Sequence, residues 1–214
     1  MNNLLKAYSE GKGGAENYAR GYVRYLKSVL DNLDLAAIAE FARRLEAVRA
    51  AQRTVFFVGN GGSAATCSHF ANDLAKACRR VGVPGFRAIS LTDNVALMTA
   101  IANDDGYENV FAGQMRDLFK RGDMLVAISA SGNSPNVLAA ARLAGELGGE
   151  VVGITGFDGG ALRRLSDCVV HVPSEKGEYG PVEDVHMIVD HLVTSYLAFL
   201  SEDGNSGTSF TSLS

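Results

Sequence analysis

Twice in this chain an apolar run of β-branched or aromatic residues ends abruptly in a turn of glycine, serine and asparagine. The first run is Val55-Phe56-Phe57-Val58, followed by Gly59-Asn60-Gly61-Gly62-Ser63. The run reads as a buried strand. The glycines let the backbone turn tightly and approach a ligand closely. Ser63 is placed to cap a helix, whose exposed N–H groups favour an anion. The second run is Met124-Leu125-Val126-Ala127-Ile128, which leads into Ser129-Ala130-Ser131-Gly132-Asn133-Ser134-Pro135-Asn136. Pro135 suits the first turn of a following helix. Serine hydroxyls and helix-end amides together can hold a phosphate monoester without a lysine. Either turn alone is compatible with an ordinary capped connection. Two of them, after two strands, point to a site for a phosphorylated ligand.

The rest of the chain repeats the alternation. The spacing of Tyr18, Tyr22, Leu26, Val29 and Leu30 predicts a helix over 15–32. Asp34 is a fitting N-cap for a second helix over 35–51, with Ile38, Phe41, Leu45 and Val48 as its apolar stripe. These two helices precede the first strand as an extension, residues 1–52, whose stripes call for a partner such as a neighbouring subunit. Strands are expected at 54–58, 87–91, 124–128, 151–155 and 168–172. Helices are expected at 63–78, from a Thr92 or Asp93 cap to 101, and at 107–119, 134–147 and 182–200. The alternation predicts an α/β three-layer sandwich around a five-stranded parallel sheet. Ligands of such sheets bind beyond the C-terminal strand ends, where both serine turns fall. Residues 53–200 form this domain. Residues 1–14 read as a loosely held arm and 201–214 as a flexible Ser/Gly/Thr-rich tail.

A length of 214 residues suits one such domain with a sizeable core. The formal net charge of −4 argues against a nucleic-acid-binding basic face. No apolar run reaches membrane-spanning length, and the N-terminus has no signal-peptide core. Cys67, Cys78 and Cys168 form no CxxC motif and are odd in number, as expected of free thiols in a reducing cytoplasm.

Two sets of side chains carry chemistry. His69 and Asp73, four apart, share one face of the helix after the first turn. They can share a metal, form a proton-transfer pair or stand as a plain surface pair. The last helix carries Glu183, Asp184, His186, Asp190 and His191. Glu183 and His191 are eight apart, so their directions differ by roughly 80°. They converge if Glu183 sits in the first turn and reaches across; otherwise this is a solvated acidic face. His186 is expected at the surface or behind the site, and His171 to be structural.

The motifs GNGGSA, SHFAND and ISASGNS resemble the SIS (sugar isomerase) domain, and more closely the phosphoheptose isomerases, across about residues 15–200. Those enzymes interconvert sedoheptulose 7-phosphate and D-glycero-D-manno-heptose 7-phosphate. The resemblance implies a zinc site at His69, Asp73, Glu183 and His191, with a carboxylate (Asp73 or Glu183) as base and His191 as acid. It implies no nucleotide cofactor, and a homotetramer with sites between subunits. Phosphate and sugar contacts would come from Asn60, Gly61, Gly62 and Ser63, from Ser129, Ala130, Ser131 and Ser134, and from Asn103 and Asp104. Three positions depart from the family pattern: Asp73 stands for Glu, Glu183 for Gln, and Ala130 for a hydroxyl residue. A related branch, the DnaA initiator-associating proteins, binds a protein partner; the histidines and carboxylates retained here argue for the enzyme.

Overall fold

The computed structural model describes residues 14–79 and 81–200. The expected N-terminal arm, apart from Gly14, and the C-terminal tail lie outside the described residues. The elements run α1 (Ala15–Asp31), α2 (Leu35–Ala50), β1 (Thr54–Gly59), α3 (Gly62–Lys76), β2 (Arg87–Ser90), α4 (Val95–Asp104), a 3-10 turn (Tyr107–Asn109), α5 (Ala112–Leu118), β3 (Met124–Ser129), α6 (Pro135–Glu146), β4 (Glu150–Thr155), α7 (Leu162–Leu165), β5 (Cys168–His171) and α8 (Tyr179–Phe199).

All pairings in the sheet are parallel, in the order β2-β1-β3-β4-β5. The chain leaves β1 in one direction to β2 and returns on its other side to β3. The crevice between β1 and β3 is therefore the topological switch point, where open parallel sheets bind ligands. Register sharpens this: Gly59 pairs with Ile128, so the two turns leave the sheet side by side.

Alternation on the central strands divides the core. Val55 and Phe57 of β1 face a cluster with Phe41, Leu45, Phe70, Leu74, Val185 and Val189. Phe56 and Val58 face a second cluster with Phe111, Met115, Phe119, Val137 and Ala141. So α2, α3 and α8 cover one face, while α5 and α6 cover the other. The apolar stripe of α2, Ile38, Phe41, Leu45 and Val48, is buried within the chain itself rather than held out for a neighbour. The Asp34 carboxylate caps α2 as expected, accepting from the Ala36 and Ala37 amides at 3.0 Å.

Several boundaries differ from expectation. Asn94, not Thr92 or Asp93, caps α4: its side chain accepts from the Leu97 amide at 3.1 Å, while Asp93 accepts from the Ser68 hydroxyl at 2.5 Å. The single helix expected over 107–119 is broken into the 3-10 turn and α5. The last helix begins at Tyr179, with Pro181 tolerated in its first turn, where backbone N–H groups have no helical partner. No described helix is long and apolar enough to cross a membrane.

Candidate active site

The first turn is shaped by its glycines. Gly61 has φ 55°, open to glycine but strained for other residues. It stands at the N-cap of α3, so the helix begins at Gly62, one residue before the Ser63 cap expected from sequence. Ser63 lies instead inside the first turn of α3, buried. A Cβ on Gly62 would come within 2.3 Å of the Glu183 carboxylate, so Glu183 reaches from α8 onto the start of α3.

The second turn is built from hydroxyls whose acceptor sides are used. Ser129 Oγ accepts from the Gly132 amide at 3.1 Å, and Ser131 Oγ accepts from the Asn133 amide at 3.2 Å. The Ser129 and Ser134 hydroxyls lie 3.4 Å apart, one donating to the other, and the Ser131 hydroxyl hydrogen is left to donate outward. Ser134 is the N-cap of α6 but makes no side-chain cap bond, so its hydroxyl is also uncommitted to the helix; Pro135 follows at the helix start. A cavity of about 130 Å³ lies between the two turns, lined by Asn60, Ser63, Ser129, Ala130, Ser131, Ser134, Tyr179 and Glu183. No described lysine or arginine lines it. A phosphate there would be held by hydroxyls and helix-end amides, as the sequence indicated.

A pair of asparagines ties the turns together. Asn60 Nδ2 donates to Asn136 Oδ1 at 2.9 Å, and Asn136 Nδ2 donates back to Asn60 Oδ1 at 2.8 Å. The Tyr107 hydroxyl also donates to Asn60 Oδ1, at 2.9 Å. The Asn60 side chain thus clamps the end of β1 to α6, using one of its two Nδ2 hydrogens. Asn136 and Tyr107 were not singled out as site residues from sequence; their role depends on which turns the sheet brings together. Asn103 and Asp104 end α4, exposed, with the Asn103 amide donating to Asp104 Oδ1 at 2.7 Å. They do not line the cavity between the serine turns.

Further along α3 and α8 lies a second centre. His69 and His191 point Nε2 at one another at 3.0 Å, with ring planes 70° apart. His69 Nε2 is 3.4 Å from Asp73 Oδ2. The described group able to hold a metal is His69, Asp73, Asp190 and His191, whose ligand atoms all lie within 4.8 Å of one another. The expected Glu183 is not in this group. Because α8 starts at Tyr179, Glu183 sits beyond its first turn and packs against Gly62 in the phosphate cavity instead.

Asp190 is fully buried, and neither of its carboxylate oxygens has a hydrogen-bond partner. Burial, and then the nearby charge of Asp73, push its carboxyl up to about 8. Burial, with the neighbouring Asp184 charge, also raises Glu183 above the usual carboxylate range. His186, expected at the surface or behind the site, is fully buried one turn before Asp190, which matches the second of these. Burial lowers it to about 4, with the Thr155 backbone opposing that shift and His171 adding to it. His171 has a partner in the Thr155 hydroxyl at 3.1 Å.

A five-stranded parallel sheet with a phosphate-receptive crevice at its switch point defines a class of sugar-phosphate domain. The family model for the SIS domain matches residues 17–156, and the chain belongs to the SIS domain family. It is 40% identical over 141 residues to the phosphoheptose isomerase of Aliarcobacter butzleri, covering 65% of this chain and 72% of that protein. It is 35% identical over 177 residues to the phosphoheptose isomerase of a Bradyrhizobium species, covering 83% and 88%. The solved phosphoheptose isomerase from Neisseria gonorrhoeae superposes with a TM-score of 0.74 at 29% identity, covering 84% of this chain and 94% of that one.

Proposed function

We propose that this chain interconverts the aldose and ketose forms of a phosphorylated seven-carbon sugar, sedoheptulose 7-phosphate and D-glycero-D-manno-heptose 7-phosphate. The observation that carries this reading is the pairing of a phosphate cavity with a His/carboxylate centre at two levels of the same helices. Glu183 and His191 lie eight residues apart on α8, about 12 Å along its axis. An extended open-chain sugar phosphate can place its phosphate at the serine turns and its carbonyl end at the histidines. Relatives of this chain carry the phosphoheptose isomerase name, which supports the choice of sugar.

In this reading Ser129, Ser131 and Ser134 donate to the phosphate, and the start of α3 adds backbone amides. A carboxylate, Asp73 beside His69 or Glu183 with its raised pKa, removes the proton next to the carbonyl to give an enediol. His191 relays a proton to the neighbouring oxygen. Two imidazoles and two carboxylates form a donor set suited to zinc, and the buried, unpartnered Asp190 calls for a compensating cation. When bound at these residues, zinc supplies Lewis-acid polarisation of two adjacent sugar oxygens.

A homotetramer would cover the apolar side chains that the single chain leaves in solvent, among them Tyr18 and Val23 of α1 and Val95 and Leu97 of α4. The cytoplasm, where the three free cysteines stay reduced, is the matching compartment. The test is isomerisation of sedoheptulose 7-phosphate by Asp73→Asn and His191→Ala. Each is expected to lose about 100-fold or more in kcat. Unchanged turnover in both would remove the mechanism.

A further inference from the structure

We infer that Asp190, and not Glu183, is the second carboxylate ligand of the divalent metal, completing a set with His69, Asp73 and His191. The inference rests on the metal-assisted reading above and assigns its ligands. Ligand atoms from all four residues lie within 4.8 Å of one another. Asp190 comes from the buried face of α8, which is otherwise mostly apolar (Pro181, Val182, Val185, Val189, Val193 and Leu197), with His186 and Thr194 one turn to either side. An aspartate in such a stripe is strongly disfavoured unless something neutralises and coordinates it. Its two oxygens have no hydrogen-bond partner, and no described lysine or arginine pairs with it. Thr194 one turn on donates its hydroxyl to the Asp190 backbone carbonyl at 2.8 Å, leaving the carboxylate alone. A divalent cation between the two imidazoles answers the missing charge and the missing coordination together.

Glu183 is placed differently. It lies seven residues before Asp190, about 10 Å back along α8, with its carboxylate against Gly62 at the phosphate turn. Metal coordination by Asp190 leaves Glu183 free in the substrate cavity, where a carboxylate of raised pKa is suited to proton transfer.

The test reads metal, not turnover. Wild type, Asp190→Asn and Glu183→Ala are loaded with cobalt(II), the visible ligand-field spectrum is recorded, and zinc affinity is measured by competition with a chromophoric chelator. Asp190→Asn is expected to lower zinc affinity by about 100-fold or more, beyond the cost of losing a residue that only orients a ligand, and to alter the cobalt spectrum. Glu183→Ala is expected to keep both. Asp190→Leu guards against a folding artefact: it should raise the melting temperature of the metal-free protein, because an unpartnered carboxylate leaves the core, and abolish the upward shift on adding zinc. Unchanged zinc affinity in Asp190→Asn, or loss of metal in Glu183→Ala, overturns the assignment. An isomerase whose Asp190→Asn variant keeps its metal defeats this inference alone. A wild type that binds metal through Asp190 yet turns over no sugar phosphate defeats the proposed reaction alone.

Discussion

The cavity between the serine turns and the His/carboxylate group able to hold a metal both draw on α3 and α8, but they are specified in different ways. The cavity is framed by two contiguous turns, each following its strand directly, brought level by the pairing of Gly59 with Ile128. The metal group is side chain only, and its His69–His191 contact joins residues 122 apart in sequence. A site made of contiguous turns inherits its geometry from the sheet. A site made across two helices depends on where each helix begins and how its stripe is rotated.

That contrast can be broken by substitutions that touch one centre and spare the other. The largest effect is expected from Gly132→Ala. Gly132 has φ 62°, and a Cβ there would come within 2.0 Å of the Gly159 carbonyl oxygen, which is backbone and cannot swing away. Urea denaturation should show a loss of roughly 2–4 kcal/mol. KM for the sugar phosphate should rise, while zinc binding by the folded fraction stays at the wild-type level. Metal affinity falling in step with KM would mean that the two centres are one unit.

A smaller effect is expected near the metal group. His186 is buried with its pKa lowered to about 4, so at neutral pH it is uncharged both folded and unfolded. As pH falls through the unfolded value of about 6.5 toward 4, the unfolded chain takes up a proton that the folded one refuses, and stability is lost. For metal-free protein the loss is about 3 kcal/mol at most by pH 4. His171 on β5 faces the same ring, and Asp190 lies one turn on; both titrate in the variant as in the wild type. His186→Leu should therefore flatten the acid limb of the difference in stability between the two proteins from pH 6.5 to 4. Parallel curves would show that His186 accepts its proton in the folded state.

Legibility followed the same division. All five strands and both turns could be read from Val55–Ser63, Met124–Asn136 and the runs around Ala88, Val152 and Val170, because period and turn chemistry are local. Helix starts were less legible. Ser63, Thr92 and Asp93 are all good cap residues, and only the folded backbone selects Gly61 and Asn94 instead. The break between the 3-10 turn and α5 carries no strong breaker in Val110 or Phe111, both buried in the core.

In the candidate site, spacing and resemblance singled out His69, Asp73 and His191, which the structure brings together. Asp190 was visible as a residue, but its place in that group was not. Its burial follows from the rotation of α8 against α3, and the family pattern pointed about two turns earlier on the helix, to Glu183. Asn136 and Tyr107 escaped because nothing in their own segments indicates that β1 will deliver Asn60 to them.

The most direct measurement is isomerisation of sedoheptulose 7-phosphate by the purified full chain, before and after chelation, with metal content determined on the same sample. The predicted result is one zinc per chain and turnover that falls on chelation and returns when zinc is restored. Metal-free protein with no turnover of this sugar would contradict the account.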